Sequence, residues 1–213
     1  MVQKINYQLV LNKELKKITE SGKTPLLFLH SCCAPCSSYV LEYLSNYFNI
    51  ILYYYNPNIS PESEYKFRLE ELERLVKELP HKNKISFASA EYNENDFYKL
   101  VKGHEKDPER GERCRICLSH RIENAAEKAV LYNADYFTTT LSISPMKDSQ
   151  FLNECGKQSS EKYGIPYLFS DFKKKGGYIR SIELSHQYNL YRQNYCGCVF
   201  SKRNTIPPVV KVE

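Results

Sequence analysis

The stretch TPLLFLHSCCAPC, residues 24–36, decides the fold. Leu26, Leu27, Phe28 and Leu29 form an unbroken apolar run, which reads as a strand buried on both faces. Cys32, Cys33 and Cys36 follow at its carboxyl end. Pro35 suits the first turn of a helix, because its missing N–H has no intrahelical partner there, and the helix continues through Val40 and Leu44. A buried strand that turns straight into a helix is the opening of a parallel α/β unit.

The same alternation repeats outward. Residues 49–55 are a second apolar strand, ended by the turn residues Asn56-Pro57-Asn58. Ser60 and Pro61 are expected as N-cap and first position of a long helix that ends before Pro80. Residues 85–88 make a third strand and 93–102 a helix, and the charged run 104–111 is a loop. Residues 114–132 are helical, 135–140 a fourth strand, 149–163 a helix and 165–169 a last strand. Residues 7–20 carry Leu9, Leu11, Leu15 and Ile18 at helical spacing.

The expectation is a single α/β domain over 1–213. It has an N-terminal helical extension at 1–22, a sheet core at 24–170, a C-terminal segment at 171–204 and a loose tail at 205–213. Right-handed crossovers in such a sheet put ligands beyond the carboxyl ends of the strands. Cys32, Cys33, Cys36, Asn56 and residues 142–147 then share one rim.

Composition narrows the chemistry. Lys plus Arg is 30 against 25 Asp plus Glu, a formal charge of +5 that permits a nucleic-acid partner without requiring one. The 18 tyrosines suit half-buried packing, with base stacking open to some of them. No apolar run reaches the ~20 residues of a membrane span, and the N-terminus does not read as a signal peptide, so the expected location is cytoplasmic.

In a reducing compartment, cysteines at short spacing bind metal or do redox chemistry. Of the eight, seven fall in three groups: Cys32, Cys33 and Cys36; Cys114 and Cys117; Cys196 and Cys198. Cys155 stands alone and reads as a small buried hydrophobe. Cys32, Cys33, Cys114 and Cys117 supply the four thiolates a [4Fe–4S] cluster needs, and the same set could hold a structural zinc. Cys36 is either a helix residue or a further ligand. His120, three residues after Cys117, is a plain histidine or a donor to an extra metal. Gly197 lets Cys196 and Cys198 approach closely, which suits a redox-active pair, with metal ligands or inert thiols as the alternatives. Lys173-Lys174-Lys175 before Gly176-Gly177 is a phosphate grip or a solvated loop.

Several stretches together resemble the epoxyqueuosine reductases of the QueH type. They are HSCCAPC at 30–36, YNPNI at 55–59, Glu64-Tyr65, RCRIC at 113–117 with Arg121, and TTLSISPMK at 139–147. They continue with DFKK at 171–174, Tyr188, YRQ at 191–193 and YCGC at 195–198, in order over roughly 25–201. The resemblance implies an adenine-nucleotide α-hydrolase-like (HUP-like) fold, here without a Gly-rich phosphate turn after the first strand, and hence no ATP use. It implies a [4Fe–4S] cluster on Cys32, Cys33, Cys114 and Cys117, a redox disulfide between Cys196 and Cys198, and an additional mononuclear iron. By position alone, Cys36 and His120 are candidates for that iron. It implies two-electron reduction of epoxyqueuosine to queuosine in the tRNA anticodon, with an unidentified electron donor. Asn56, Asn58, Ser142, Lys147 and Arg192 are the candidate substrate contacts. Two other classes stand beside it: a PP-loop-like tRNA sulfurtransferase, which would consume ATP, and a zinc-stabilised RNA-binding module.

Overall fold

The protein was analysed as a computed structural model, which describes residues 4–202; the tail expected at 205–213 lies outside them. Four strands, β1 (Leu26–His30), β2 (Asn49–Tyr53), β3 (Ile85–Ala88) and β4 (Tyr136–Thr139), form a parallel sheet in the order β3-β2-β1-β4. The helices are α1 (Tyr7–Ser21), α2 (Ala34–Leu44), α3 (Glu62–Glu78) and α4 (Glu94–Leu100), then α5 (Glu112–Leu131), α6 (Ser149–Tyr163), α7 (Gly177–Gln187) and α8 (Val199–Lys202). The α/β reading holds, and the strand order is compatible with a HUP-like arrangement.

Successive side chains of a strand point to opposite faces, and β1 divides the core accordingly. Leu27 and Leu29 pack with α1, α2, α3 and Leu184 of α7. Phe28 packs on the other face with Ile122, Ala125 and Ala126 of α5, Leu152 of α6 and Phe137 of β4. The N-terminal helix belongs to the first layer, since Leu11, Leu15 and Ile18 are all buried there. His30 closes β1 as a polar clasp between neighbouring strands. Its Nδ1 lies 2.8 Å from Thr139 Oγ1 and its Nε2 lies 3.0 Å from the Tyr55 carbonyl.

Three local expectations need correction. The long helix α3 begins at Glu62, with Pro61 in the N-cap position after a cis Ser60–Pro61 peptide. Ser60 does not cap it; its N–H donates instead to the Gly197 carbonyl at 3.0 Å. Residues 165–169 do not form a strand but a single parallel bridge between Phe137 and Tyr167. Pro166 has no N–H to extend the ladder, and the Leu168 carbonyl is shared with the Thr138 hydroxyl at 2.8 Å. Beyond Lys175 the basic run leads into a helix, α7.

Helix α7 packs on α2 through small residues: Gly177, Ser181 and Ser185 are all buried. A Cβ added at Gly177 would stand 2.0 Å from the Phe172 carbonyl oxygen and 2.5 Å from the Tyr39 ring. Gly177→Ala therefore has to push backbone apart, and it is expected to destabilise the fold by ~1–3 kcal/mol. Urea unfolding checks this as a lower midpoint at unchanged slope.

Candidate metal and redox site

The turn from β1 into α2 gathers the first sulfurs. Cys33 occupies the N-cap of α2 in extended backbone, and Pro35 sits in the first turn. Extended geometry at Cys33 followed by helix swings Cys36 back toward the adjacent pair. The three Sγ atoms lie within 4.8 Å of one another, with Cys32 and Cys33 3.8 Å apart. The Thr140 hydroxyl stands 3.6 Å from Cys32 Sγ and accepts from the Cys32 N–H at 3.3 Å, which locks the turn to the end of β4.

One negative charge suits this trio better than three. Hydrogen bonds from Cys33 and Cys36 hold the Cys32 thiol well below its ordinary range, with help from Arg121 and Thr140. The same sharing, with burial, pushes Cys33 up to about 12 and Cys36 well upward. Three sulfurs at a helix N-terminus, with negative charge favoured on Cys32, make a soft, electron-rich donor set.

Helix α5 brings the second pair. Cys114 lies in its first turn, where its Sγ receives the Arg110 N–H at 3.3 Å. Cys117, one turn on, is buried, and burial raises its thiol while Arg121 opposes the shift. Both pairs, Cys36 and the dithiol of Cys196 and Cys198 line one cavity of about 300 Å³. The rim of the sheet thus collects all three cysteine groups. Cys155 is apart from them, buried among apolar neighbours under α5.

The Cys196 and Cys198 sulfurs stand 3.7 Å apart, across Gly197 at φ 110°. That backbone conformation favours glycine, and a Cβ there would also meet Ile59 at 2.8 Å. The segment is tied to the β2–α3 turn: the Cys196 carbonyl accepts from Asn58 Nδ2 and Arg68 Nη1, each at 3.5 Å. Ser201 Oγ is 3.2 Å from Cys196 Sγ and 3.4 Å from Cys198 Sγ. The Cys196 thiol is held well below its usual range, first by its hydrogen bond with Cys198 and then by Lys147 and Ser201. Cys198 is pushed strongly upward by the same hydrogen bond. The shared hydrogen bond therefore favours negative charge on Cys196 over Cys198.

The candidate substrate contacts divide. Asn58, Lys147 and Arg192 line the cavity. Asn56 and Ser142 are buried behind its wall, with their polar atoms already engaged. Asn56 Nδ2 donates to the Ser31 carbonyl at 2.9 Å and its Oδ1 accepts from Arg121. Ser142 Oγ lies 3.3 Å from Ser170 Oγ and accepts from the Phe172 N–H. His120 is not part of the cavity lining; its Nε2 lies 3.0 Å from the Tyr55 hydroxyl. Lys173 is engaged by Asp171 at 2.6 Å and by the Ser142 carbonyl, while Lys174 and Lys175 are exposed. Arg68, Arg121, Thr140 and Ser201 had no role assigned from the sequence. The early signals for Arg121 were its place in the family resemblance and its position four residues after Cys117, which puts both on one helix face.

Fold and site together define a class: an α/β protein that gathers soft sulfur donors at the carboxyl rim of a parallel sheet. Comparison with known proteins narrows it. The family described as epoxyqueuosine reductase QueH matches residues 27–204. An epoxyqueuosine reductase QueH of Streptococcus pyogenes is 42% identical over 203 residues, covering 94% of this chain and 80% of that protein. The Staphylococcus epidermidis protein of the same name is 44% identical, covering 93% and 85%. That of Thermotoga maritima is 34% identical over 181 residues, covering 82% and 89%. The chain belongs to the epoxyqueuosine reductase QueH family, and it is an oxidoreductase.

Proposed function

We propose that this protein reduces epoxyqueuosine to queuosine at the wobble position of tRNA, drawing on a [4Fe–4S] cluster and the Cys196/Cys198 dithiol. The observation that carries the reading is the convergence of seven cysteines on one cavity. The donor set fits the cluster: five thiols of Cys32, Cys33, Cys36, Cys114 and Cys117 line the same space, and soft sulfur is what iron–sulfur chemistry selects. Cys32, Cys33, Cys114 and Cys117 would hold it, and when bound it would supply electrons one at a time. Of the two side chains considered for an additional mononuclear iron, Cys36 faces the cavity and His120 does not.

The dithiol accounts for the stoichiometry. Converting an epoxide to an alkene takes two electrons and two protons and releases water. Oxidising the Cys196 thiolate and the Cys198 thiol to a disulfide supplies both electrons and one proton, and the second proton comes from solvent. The low Cys196 thiol and the high Cys198 thiol divide the work, one as electron-rich sulfur and the other as proton source. A cytoplasmic reductant, the unidentified electron donor, must then return the disulfide to the dithiol.

The rest of the lining suits charge developing on the epoxide oxygen. Arg68, Arg113, Arg121, Lys147 and Arg192 face one carboxylate, Glu109. Fixed cations in a partly enclosed site stabilise a developing oxyanion more than water does. Asn58 Oδ1 and Gln193 Oε1 are buried without partners, and both residues line the cavity, so they are free to accept from substrate N–H or O–H groups. Among the described residues no helix is long and apolar enough to cross a membrane, which is compatible with a tRNA partner in the cytoplasm.

The test is direct. Protein purified without oxygen, given a chemical reductant and tRNA carrying epoxyqueuosine, is expected to yield a nucleoside lighter by one oxygen. The same protein should be brown, with about four irons and four sulfides per chain. A colourless, zinc-containing protein that binds tRNA and leaves it unchanged would overturn the reading.

A further inference from the structure

Three arginines are buried at this site, Arg68, Arg113 and Arg121. Arg68 is paired with the Glu64 carboxylate at 2.7 Å. Arg113 gives its Nη1 to the carbonyls of His104, Glu105 and Asp107. Neither Arg113 nor Arg121 has a carboxylate ion pair among the described residues, and each leaves its Nε buried without a partner. Arg121 differs in what surrounds it: its Nη2 donates to the neutral amide of Asn56. A buried charge without a counter-charge is costly. The anions in reach are sulfurs: Arg121 lines the cavity with the cysteines, its charge favours the thiolates of Cys32 and Cys117, and it stands one turn from Cys117 on α5.

We propose that Arg121, held in place by Asn56, is the built-in counter-charge of the cysteine site and sets the reduction potential of the metal group bound there. This rests on the iron–sulfur reading given above. Asn56 fixes the guanidinium by a relay to the sheet: Arg121 to Asn56, and Asn56 to the Ser31 carbonyl beside Cys32. Asn56 is thus a positioning residue rather than a substrate contact. Reduction adds one negative charge to an already anionic thiolate-bound centre. A fixed cation, and N–H groups near the sulfurs, stabilise the reduced state more than the oxidised one and so raise the potential.

The experiment is a redox titration of the anaerobically purified holoprotein, followed by electron paramagnetic resonance of the reduced centre. Arg121→Met removes the charge, and the midpoint is expected to move to more negative potential. Asn56→Asp keeps the shape but sets a carboxylate against the guanidinium, and the midpoint is expected to move the same way. Arg121→Lys keeps a charge and should lie closer to wild type. A wild-type centre whose midpoint ignores both Arg121→Met and Asn56→Asp would overturn the inference and leave the reductase reading standing. Loss of iron from all three variants, including the charge-preserving lysine, would also overturn it, because Arg121 would then be needed for assembly rather than potential. A wild-type protein without an iron–sulfur centre would remove the reading beneath it, and the inference with it.

Discussion

Cys196→Ser is expected to cut turnover by about 10³-fold or more while leaving the iron in place. The serine hydroxyl keeps nearly the same volume, so the turn at Gly197 and the tie of the Cys196 carbonyl to Asn58 and Arg68 survive. What disappears is the thiolate of the pair. A lone Cys198 cannot form an intramolecular disulfide, so the two-electron source beside the substrate is lost. The loss should appear in kcat and kcat/KM together, since the dithiol acts on bound substrate rather than in capturing it. Steady-state assay with tRNA, alongside iron analysis and the visible spectrum, reads both halves. Inactive protein with a full iron complement supports the redox role. Loss of the chromophore with the activity would move Cys196 into the metal site.

The second large effect belongs to Cys33→Ala. Cys33 is 2% exposed at the N-cap of α2, with Cys32 on one side and Cys36 one turn later. Alanine is accepted at that position by the backbone, so the fold should persist. The donor set is reduced from four to three thiolates, and iron is expected to fall from about four per chain to background, with activity lost alongside it. Circular dichroism separates this from unfolding. Cys155→Ala is the matching control: its sulfur lies in the apolar layer under α5, and iron should be retained. If Cys33→Ala keeps its full iron, with Cys36 taking the vacant place, the assignment of the four ligands fails.

Much of this was readable before any coordinates. The apolar run at 26–29, followed by cysteines and Pro35, specified a buried parallel strand and the helix leaving it, and both are there. The spacing of Cys114 and Cys117 placed them on one face of α5. What escaped has physical causes. Helix α7 was hidden because, Leu184 apart, its buried face is made of Gly177, Ser181 and Ser185, which close packing selects and hydropathy does not register. The strand expected at 165–169 failed on Pro166, which has no N–H to give a ladder. Asn56 looked like a substrate contact because a polar residue after a strand points toward the rim. Only the fold shows that both ends of its amide are already committed, to Ser31 and to Arg121.

The tie between the Cys-Gly-Cys turn and the residues after β2 also bears on how the molecule is put together during synthesis. Cys32, Cys33, Cys114 and Cys117 all leave the ribosome well before residues 192–198, which supply one wall of the cavity. Until that stretch arrives, the space beside the four sulfurs is open on one side. Docking of Gly197 against Ser60, and of Cys196 against Asn58 and Arg68, then closes it. A metal taken up at these sulfurs would therefore meet least obstruction on a chain still being made, and would reach them in the finished protein through a narrower door.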